Sequence, residues 1–269
     1  RLYKRQPLLP ADEFPVMSDE ELPCRFSLGI DDSKALIDKT RFAISNEETR
    51  YYLNGIFFHA SKTSDVPMLR AVATDGHRLA RVEIPLPEGA NEMPNIIVPR
   101  KAITEVRKLI DDWDGDINVS LSQTKICFSI GDIILSTKLI DGTFPDYERV
   151  IPSGNDKNMC VNCNDLSEAV DRVSTISTEK SRAIKLHLSN NNLVLSANSP
   201  ESGTAIEELE LNYNGEMIEI GFNSRYLLDI ANQIEGENVE FSMADPGSPT
   251  ILRDQEDTSA LYVLMPMRV

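Results

Sequence analysis

The sequence predicts an α+β fold, with antiparallel sheets built from short strands and a few helices packed on them. Apolar residues alternate with polar ones at Ile117, Val119 and Leu121, and the alternation resumes after a turn at residues 122–125. Helical spacing is confined to four short stretches, each beside such strands. Strands that follow one another through tight turns favour an antiparallel meander over a doubly wound parallel sheet.

The clearest predicted helix covers residues 99–112. One face carries apolar residues at helical spacing: Ala102, Ile103, Val106, Leu109 and Ile110. The opposite face carries four cations: Arg100, Lys101, Arg107 and Lys108. Such a stripe is most often a solvated surface, but contact with phosphates would use the same residues.

The other three helices are predicted from their N-terminal residues. Asp31 and Asp32 are expected as caps of the first, whose outer face carries the cations Lys34, Lys39 and Arg41. In the second half, Asn164 or Asp165 is expected to cap one helix, and Asn223 or Ser224 the other. These two are less basic, so a surface for an anion is expected in the first half.

An internal repeat divides the chain. Strand, cap, helix, loop and alternating strand recur in one order roughly 120 to 135 residues apart, and a Phe-Pro pair precedes each unit at residues 14–15 and 144–145. This predicts two copies of one domain, at residues 19–147 and 148–269. Residues 1–18 are interpreted as the end of a preceding domain and a linker.

Composition excludes several classes of protein. A chain of 269 residues that is 41% hydrophobic and 26% charged is typical of a globular protein. No apolar run approaches the roughly 18 residues of a membrane helix, and no signal peptide is evident. Of the four cysteines only Cys160 and Cys163 form a CxxC, without the second pair that zinc would need. We therefore expect no metal and a reducing cytoplasm.

The net charge of −16 constrains any role on nucleic acid. Proteins that bind DNA tightly on an open face normally carry a basic excess, because counterion release supplies most of their affinity. If this chain acts on DNA, something other than electrostatic affinity must keep it there.

An enzymatic reading finds little support in the sequence. Asp75 and His77 could be an acid and a base, and the other histidines are His59 and His187. No HxxxH, GxSxG, Walker loop or GxGxxG motif accompanies them. We expect no catalytic residue, and loss of turnover in His77→Ala would be the test of a hydrolase.

Two distant segments are the most informative. Residues 73–80, ATDGHRLA, use turn residues to bring His77, Arg78 and Leu79 to one place. The chain ends in LMPMRV, where Met265 and Met267 flank a proline, and paired methionines make an adaptable apolar surface. Each alone is more often an ordinary turn or plain core packing. Together they predict the two edges of one peptide-docking pocket.

These segments, with RYYLNGIFF at residues 50–58 and DGTFPDYERVIP at residues 141–152, resemble the bacterial β sliding clamp family, the processivity factor of DNA polymerase III. The four motifs stand in the family's order and spacing, and the similarity covers its second and third domains. The resemblance implies a ring of six similar domains from two chains joined head to tail, with helices lining a central channel and sheets outside. Double-stranded DNA would be held topologically, without sequence specificity.

The resemblance also implies partners and residue roles. The partners are the replicative polymerase, the clamp loader, and other polymerases and repair proteins that carry clamp-binding peptides; the protein would be cytoplasmic and associated with the nucleoid, with no cofactor. The implied peptide pocket comprises Leu53, Thr74, Gly76, His77, Arg78, Leu79, Pro145, Arg149, Val150, Asn223, Tyr226, Val263, Met265, Pro266, Met267 and Arg268. The implied DNA contacts are Lys34, Lys39, Arg50, Tyr51, Tyr52, Arg100, Lys101, Arg107 and Lys108.

Head-to-tail association would use Thr175 and Ile176, where the family has an apolar pair and this chain has a threonine. Further departures are Glu47, beside the implied DNA contacts, and Gly247 and Pro249 at the outer part of the pocket. An alternative function is a docking scaffold that binds proteins but never surrounds DNA. Charge reversal on the basic helix separates the two hypotheses.

Overall fold

The computed structural model describes residues 7–8, 10, 13, 21–61, 66–177 and 182–268. The first half contains β1 (Cys24–Leu28), α1 (Ile30–Arg41), β2 (Gly55–Ser61), β3 (Met68–Thr74), β4 (Arg78–Pro85), β5 (Ile96–Pro99), α2 (Arg100–Leu109), β6 (Ile117–Leu121), β7 (Lys125–Ile130) and β8 (Ile133–Lys138). The second half contains β9 (Lys157–Asn162), α3 (Cys163–Ser174), β10 (Ala183–Ser189), β11 (Asn192–Ser199), β12 (Gly203–Glu210), β13 (Ile218–Asn223), α4 (Ser224–Ala231), β14 (Asn238–Met243), β15 (Thr250–Asp254) and β16 (Ala260–Leu264). Short 3₁₀ turns lie at Glu48–Leu53 and Tyr147–Val150.

The α+β class is confirmed, and both halves contain the same order of strands and helices. Strand pairing is antiparallel throughout the described sheets. The boundaries at residues 18 and 147 stay predictions. Most of residues 1–18, including the first Phe-Pro pair, lie outside the described residues.

The helix starts differ partly from the sequence expectation. Asp31 and Asp32 lie in the first turn of α1 and its N-cap is Gly29, so neither aspartate caps the helix. The cap of α3 is Asn162, earlier than predicted, because its side chain accepts hydrogen bonds from the backbone N–H groups of Asn164 and Asp165 at 3.0 and 3.1 Å. Asn223, one of the two residues predicted for this role, caps α4.

Strands β4 and β16 join the two halves into one sheet. Each half contributes four strands, in the order β5-β2-β3-β4-β16-β15-β14-β9, and Leu79 pairs with Val263 at the junction. Each half also forms a separate four-stranded sheet, β1-β6-β7-β8 and β12-β11-β10-β13. The long sheet is therefore continuous from one half of the chain to the other.

Both faces of the long sheet are apolar at the junction. On β16, Ala260, Tyr262 and Leu264 belong to the main core, against which the helices pack, whereas Leu261 and Val263 belong to a second cluster. Successive side chains of a strand point to opposite faces, so the two clusters lie on opposite sides of the sheet. We call these sides the helix face and the outer face.

Charged contacts cross the junction on the helix face. The Arg78 guanidinium donates to the Asp229 carboxylate of α4 at 2.5 Å, to Asp75 at 3.1 Å and to the Phe42 carbonyl at 2.7 Å. It also lies over the Phe42 and Tyr226 rings, 5.0 and 4.5 Å from their centroids. These contacts hold the end of α1, β4 and α4 together.

Tyr262 is the largest fully buried side chain at this junction. Its hydroxyl has no hydrogen-bond partner among the described residues, and burial raises the pKa of the phenol. A buried hydroxyl without a partner loses its bonds to water and gains none in return. Tyr262 therefore contributes its ring, in contact with Phe42, at the cost of an unsatisfied polar atom.

Replacement of Tyr262 by phenylalanine is expected to raise the free energy of unfolding by about 1 kcal/mol, because it removes the unsatisfied hydroxyl and keeps the ring. Tyr213→Phe is the matched control, since the buried Tyr213 hydroxyl donates to the Glu216 carbonyl at 2.5 Å and its loss should lower stability by a similar amount. Chemical denaturation of both variants measures this. Equal destabilisation would show that the Tyr262 hydroxyl is satisfied.

Replacement of Arg78 by methionine is expected to cost about 2 kcal/mol or more, because it removes the cation from the half-buried Asp229 carboxylate and the hydrogen bonds to Asp75 and the Phe42 carbonyl. The control is Arg149→Met. The Arg149 side chain is 84% exposed and its one ion pair among the described residues is with Asp146, so its loss should cost less than about 1 kcal/mol. Unfolding free energies of the two variants within experimental error of each other would contradict the bridging role of Arg78.

Candidate docking site and helix surface

The TDGHR turn between β3 and β4 is built by side-chain hydrogen bonds to its own backbone. The Asp75 carboxylate accepts from the backbone N–H groups of His77 and Arg78 at 2.9 and 3.0 Å. The Thr74 hydroxyl donates to the Arg78 carbonyl at 2.7 Å, and Gly76 has φ +90, which favours glycine. A Cβ at Gly76 would meet the Arg50 guanidinium at 2.6 Å, so the turn also holds the RYYL segment close.

An apolar cluster covers the outer face of the junction. We call it the outer cluster, and its buried members are Leu53, Val72, Leu79, Ile97, Phe144, Tyr147, Ile251, Leu261 and Val263. Three of these, Leu53, Leu79 and Val263, were predicted for the pocket, and the structure brings them together from both halves of the chain. Ile251, Leu261, Phe144 and Tyr147 were missed, although alternation along β16 places Leu261 on the same face as Val263.

The chain end lies beside the TDGHR turn. The Met265 N–H donates to the His77 carbonyl at 2.9 Å, and the Met267 N–H donates to the Gly221 carbonyl at 2.9 Å. Met265 and Arg268 are exposed, while Pro266 and Met267 are half-buried. Two segments about 190 residues apart in sequence therefore form neighbouring edges of one surface, as the sequence predicts.

The connection between the halves crosses the same face. The Phe144 ring stacks on Phe57 with centroids 4.7 Å apart, and Glu148 pairs with Arg70 at 2.8 Å. The turn Tyr147–Val150 is thereby fixed above the sheet, with Pro145, Arg149 and Val150 exposed. These predicted residues are brought next to the outer cluster through Phe144 and Tyr147.

The hydrogen bond between His59 and Tyr147 joins two uncharged groups. The His59 Nε2 atom lies 2.9 Å from the Tyr147 hydroxyl. Burial lowers the pKa of His59, and the nearby Arg70 cation acts in the same direction. Burial raises the pKa of the Tyr147 hydroxyl. The turn therefore rests on a neutral pair beside the Arg70–Glu148 ion pair.

Arg78 does not lie at the pocket rim where we expected it. Its neighbour Leu79 is in the outer cluster, so the Arg78 side chain points to the helix face, where it is bound internally. The sequence contained this signal, because adjacent residues of one strand cannot line the same face.

The outer part of the predicted pocket includes residues of α4. His77 is exposed and stacks on Tyr226 of α4, with ring centroids 5.9 Å apart, and Asn223 is the N-cap of that helix. At the outer part, the Pro249 carbonyl accepts from Asn155 at 3.0 Å.

The cations expected to face DNA are largely paired within the chain. Lys39 is buried and bridges to Asp257 at 2.8 Å and Glu235 at 3.3 Å, so it is an internal contact between the halves rather than a solvent-facing cation. Burial alone would lower the pKa of Lys39, but these two carboxylates raise it. Helical spacing within the first half places Lys39 on the solvent-facing side of α1. The second half covers that position with Glu235 and Asp257.

Several other predicted DNA contacts also have partners. The Arg100 guanidinium donates to Asn46 and to the carbonyls of Ile44 and Ser45, and Arg107 pairs with Asp38 and Asp111 at 2.7 and 2.9 Å. Lys34 donates to the Asp111 carbonyl at 3.2 Å. On α2 the exposed face is narrower than predicted and carries Lys101, Thr104 and Lys108, the last paired with Glu105 at 3.0 Å.

The RYYL segment is partly neutralised. The Arg50 guanidinium binds the Glu47 carboxylate at 2.6 and 2.7 Å and the Asp75 carbonyl at 3.0 Å. Tyr51 is exposed, and its ring meets the half-buried Tyr52 edge-on at 5.8 Å. Of the predicted DNA contacts here, Tyr51 is the residue most open to solvent.

The predicted interface pair lies at the end of α3. Thr175 is exposed and its hydroxyl donates to the Asp171 carbonyl at 3.1 Å, while Ile176 is half-buried against the core. Helix α3 packs on β12, the edge strand of its sheet. The pair is therefore next to a sheet edge.

The candidate acid and base do not form a catalytic pair. Asp75 directs its carboxylate to the backbone of its own turn and to Arg78. Within the described parts of the chain, no three His, Cys, Asp or Glu side chains are grouped to hold a metal. None of the helices there is long and apolar enough to span a bilayer.

Comparison with known proteins identifies the family. The family model for the DNA polymerase III beta subunit, central domain, matches residues 28–146, and that for its C-terminal domain matches residues 148–268. A beta sliding clamp of Caulobacter vibrioides is 50% identical over 98% of this chain and 71% of the relative. The beta sliding clamp of Escherichia coli K12 is 39% identical over 97% of this chain and 70% of the relative.

Solved structures of sliding clamps show the same similarity. A DnaN sliding clamp from Bartonella birtlesii shares 52% identity with a TM-score of 0.94, covering 97% of this chain and 70% of that one. A Caulobacter crescentus beta sliding clamp shares 50% identity with a TM-score of 0.95, covering 98% and 70%. The chain thus spans about 70% of the length of these relatives. With both family domains matched in order and relatives at about half identity, the chain belongs to the beta sliding clamp family of DNA polymerase III.

Proposed function

We propose that this chain is the part of a sliding clamp that helps to encircle duplex DNA in a head-to-tail ring and tethers partner proteins through the outer cluster. The observation that carries the docking role is the convergence of Leu53, Leu79 and Val263 with the exposed Met265 beside His77. In this proposal the protein has no catalytic activity, and it acts on the nucleoid in the cytoplasm.

The repeat supports ring formation. Strand β12 has the place in the second half that β4 has in the first, and β8 has the place of β16. The pair β4 and β16 is joined, whereas β8 and β12 are sheet edges among the described strands. Both edges expose large apolar residues, Ile134 at 70% and Ile206 at 64%. A joint of one kind, repeated head to tail through a rotation that closes, generates a ring.

In that ring, Thr175 and Ile176 support the β12 edge from α3. Thr175 is polar and exposed, so it would add little apolar contact between two chains. The stability of the contact between chains would come mainly from strand pairing and from Ile176. We propose 19–147 and 148–269 as the middle and C-terminal clamp domains.

The acidic charge supports topological attachment. With Lys39, Arg100 and Arg107 bound internally, the solvent-facing cations of the helix surface reduce mainly to Lys101, Lys108 and Arg41. Few loose phosphate contacts permit sliding, and they carry no sequence information. Enclosure, rather than affinity, would keep DNA in the channel.

The names of two solved relatives support a docking role. The Bartonella birtlesii clamp was solved bound to griselimycin, and the Caulobacter crescentus clamp with PEG at a region named as a proposed beta-motif tethering region. In this chain we propose that leucine and phenylalanine side chains of a partner peptide enter the outer cluster. Met265 and Met267 adapt to different sequences, and His77, Arg149 and Arg268 contact the peptide backbone or its acidic residues.

A short peptide with leucine and phenylalanine anchors is expected to bind at micromolar strength. Met265→Ala should weaken binding by about 2 kcal/mol, and deletion of residues 265–269, of which the last lies outside the described residues, should abolish it. Fluorescence polarisation measures both. Met217→Ala is the control, since Met217 is 66% exposed at the far end of β13. Binding that survives the deletion would place the site elsewhere.

Reversal of charge at Lys101 and Lys108 together is expected to reduce the number of clamps retained on nicked circular DNA after loading, because both side chains would face phosphates. Lys185→Glu is the control on the outer side of its sheet, opposite the helices. Retention equal to that of the unaltered protein would reject the channel assignment and favour a docking scaffold that does not surround DNA.

A further inference from the structure

The Arg81 cation lies directly beside the outer cluster and is not one of its apolar members. Arg81 lies on the outer face of β4, paired with Val72 on one side and with Leu261 on the other, both members of the cluster. It is two residues from Leu79, so its Cα lies roughly 7 Å along the strand from the floor of the docking surface. A peptide bound over Leu79 and Val263 would pass within reach of its guanidinium.

The Arg81 charge is poorly neutralised. Its side chain is only 17% exposed, and its Nε atom is buried without a hydrogen-bond partner among the described residues. Its Nη2 atom pairs with one oxygen of Glu83 over a long 3.8 Å, while the other oxygen of that carboxylate binds Arg70 at 2.8 Å. Arg70 also takes the Glu148 carboxylate. The carboxylate that pairs with Arg81 is therefore shared with a better placed arginine.

A second cation flanks the same apolar residue. Leu252 pairs with Tyr262, so the next residue, Arg253, lies beside Leu261 on the side opposite Arg81. Arg253 is exposed, and Glu240 stands opposite it on β14. Burial lowers the pKa of Arg81, Glu83 raises it in part, and the Arg70 and Arg253 cations lower it further. Arg81 therefore lies between two other arginines and shares its carboxylate, Glu83, with one of them.

The arrangement favours a carboxylate from outside the chain. Burial of a guanidinium without a close anion raises the free energy of the folded protein, because the lost contacts with water are not replaced. A bound carboxylate would neutralise the charge and accept the missing hydrogen bonds. The planar fork of arginine matches a carboxylate in two parallel hydrogen bonds. Because Leu261 lies between Arg81 and Arg253, the bound group would lie beside the end of the outer cluster.

We propose that Arg81, assisted by Arg253, binds an aspartate or glutamate side chain of the docked partner peptide, next to the apolar anchors. This inference rests on the proposed docking function. It assigns to the surface a preference for acidic partner peptides that apolar anchoring alone would not give.

The test uses anchor peptides in which a single aspartate is placed in turn at each position beside the leucine and phenylalanine, each paired with its asparagine counterpart. At one position the aspartate peptide is expected to bind the unaltered protein about tenfold more tightly than its counterpart, at low salt. In Arg81→Gln this preference should fall to nearly one, and in Arg253→Gln it should fall severalfold. Lys185→Gln should leave it unchanged.

The outcomes separate the two levels of the proposal. If no anchor peptide binds, the docking function itself fails. If anchor peptides bind but aspartate and asparagine are equal at every position on the unaltered protein, the acidic subsite is overturned while docking stands, and this result does not depend on any variant. A preference that persists at full size in Arg253→Gln and in folded Arg81→Gln, checked by its unfolding curve, would place the carboxylate elsewhere.

Discussion

Pairing of β4 with β16 is the constraint on which the rest of the molecule depends. It converts two separate four-stranded groups into one sheet, and it places Leu79 of the first half against Val263 of the second. Because alternate side chains of β16 enter the main core and the outer cluster, one strand contributes to both apolar faces. The outer cluster therefore exists only while the halves are joined. A peptide that binds there, as we propose, would by mass action stabilise the junction as well.

The two faces of this junction use charge in opposite ways. On the helix face, Arg78 and Lys39 are bound by carboxylates from the other half, so their charges hold the structure together. On the outer face, Arg81 is nearly as enclosed but lacks a comparable partner. In an acidic chain most cations can find internal carboxylates, so a cation held only by one long, shared ion pair beside an apolar surface supports the proposal that an acidic partner binds there.

The parts of the fold that depend on local pattern could be predicted from the sequence. Alternation identified β6 and β7, and the cap at Asn223 was found because a side chain bonds the backbone within a few residues. The proximity of His77 and Met265 was predicted only from the sequence motifs and their resemblance to those of the clamp family. Lys39 was misplaced because helical spacing treats each half alone, while its partners Glu235 and Asp257 come from the other half. No local rule contains that information.

Strands β16 and β8 hold the same place in the repeat, yet they are buried to very different degrees. Every residue of β16 is buried, since β4 covers its edge and the connection through Phe144 and Tyr147 covers its outer face. Strand β8 lacks a neighbour on that edge among the described strands and leaves Ile133 and Ile134 exposed. Full burial of an isoleucine side chain contributes about 1.5–3 kcal/mol, so equivalent pairing at β8 would recover much of what β16 already has. The same physical advantage that joins the halves within the chain thus favours further joints of the same kind, which is the requirement for closing a ring.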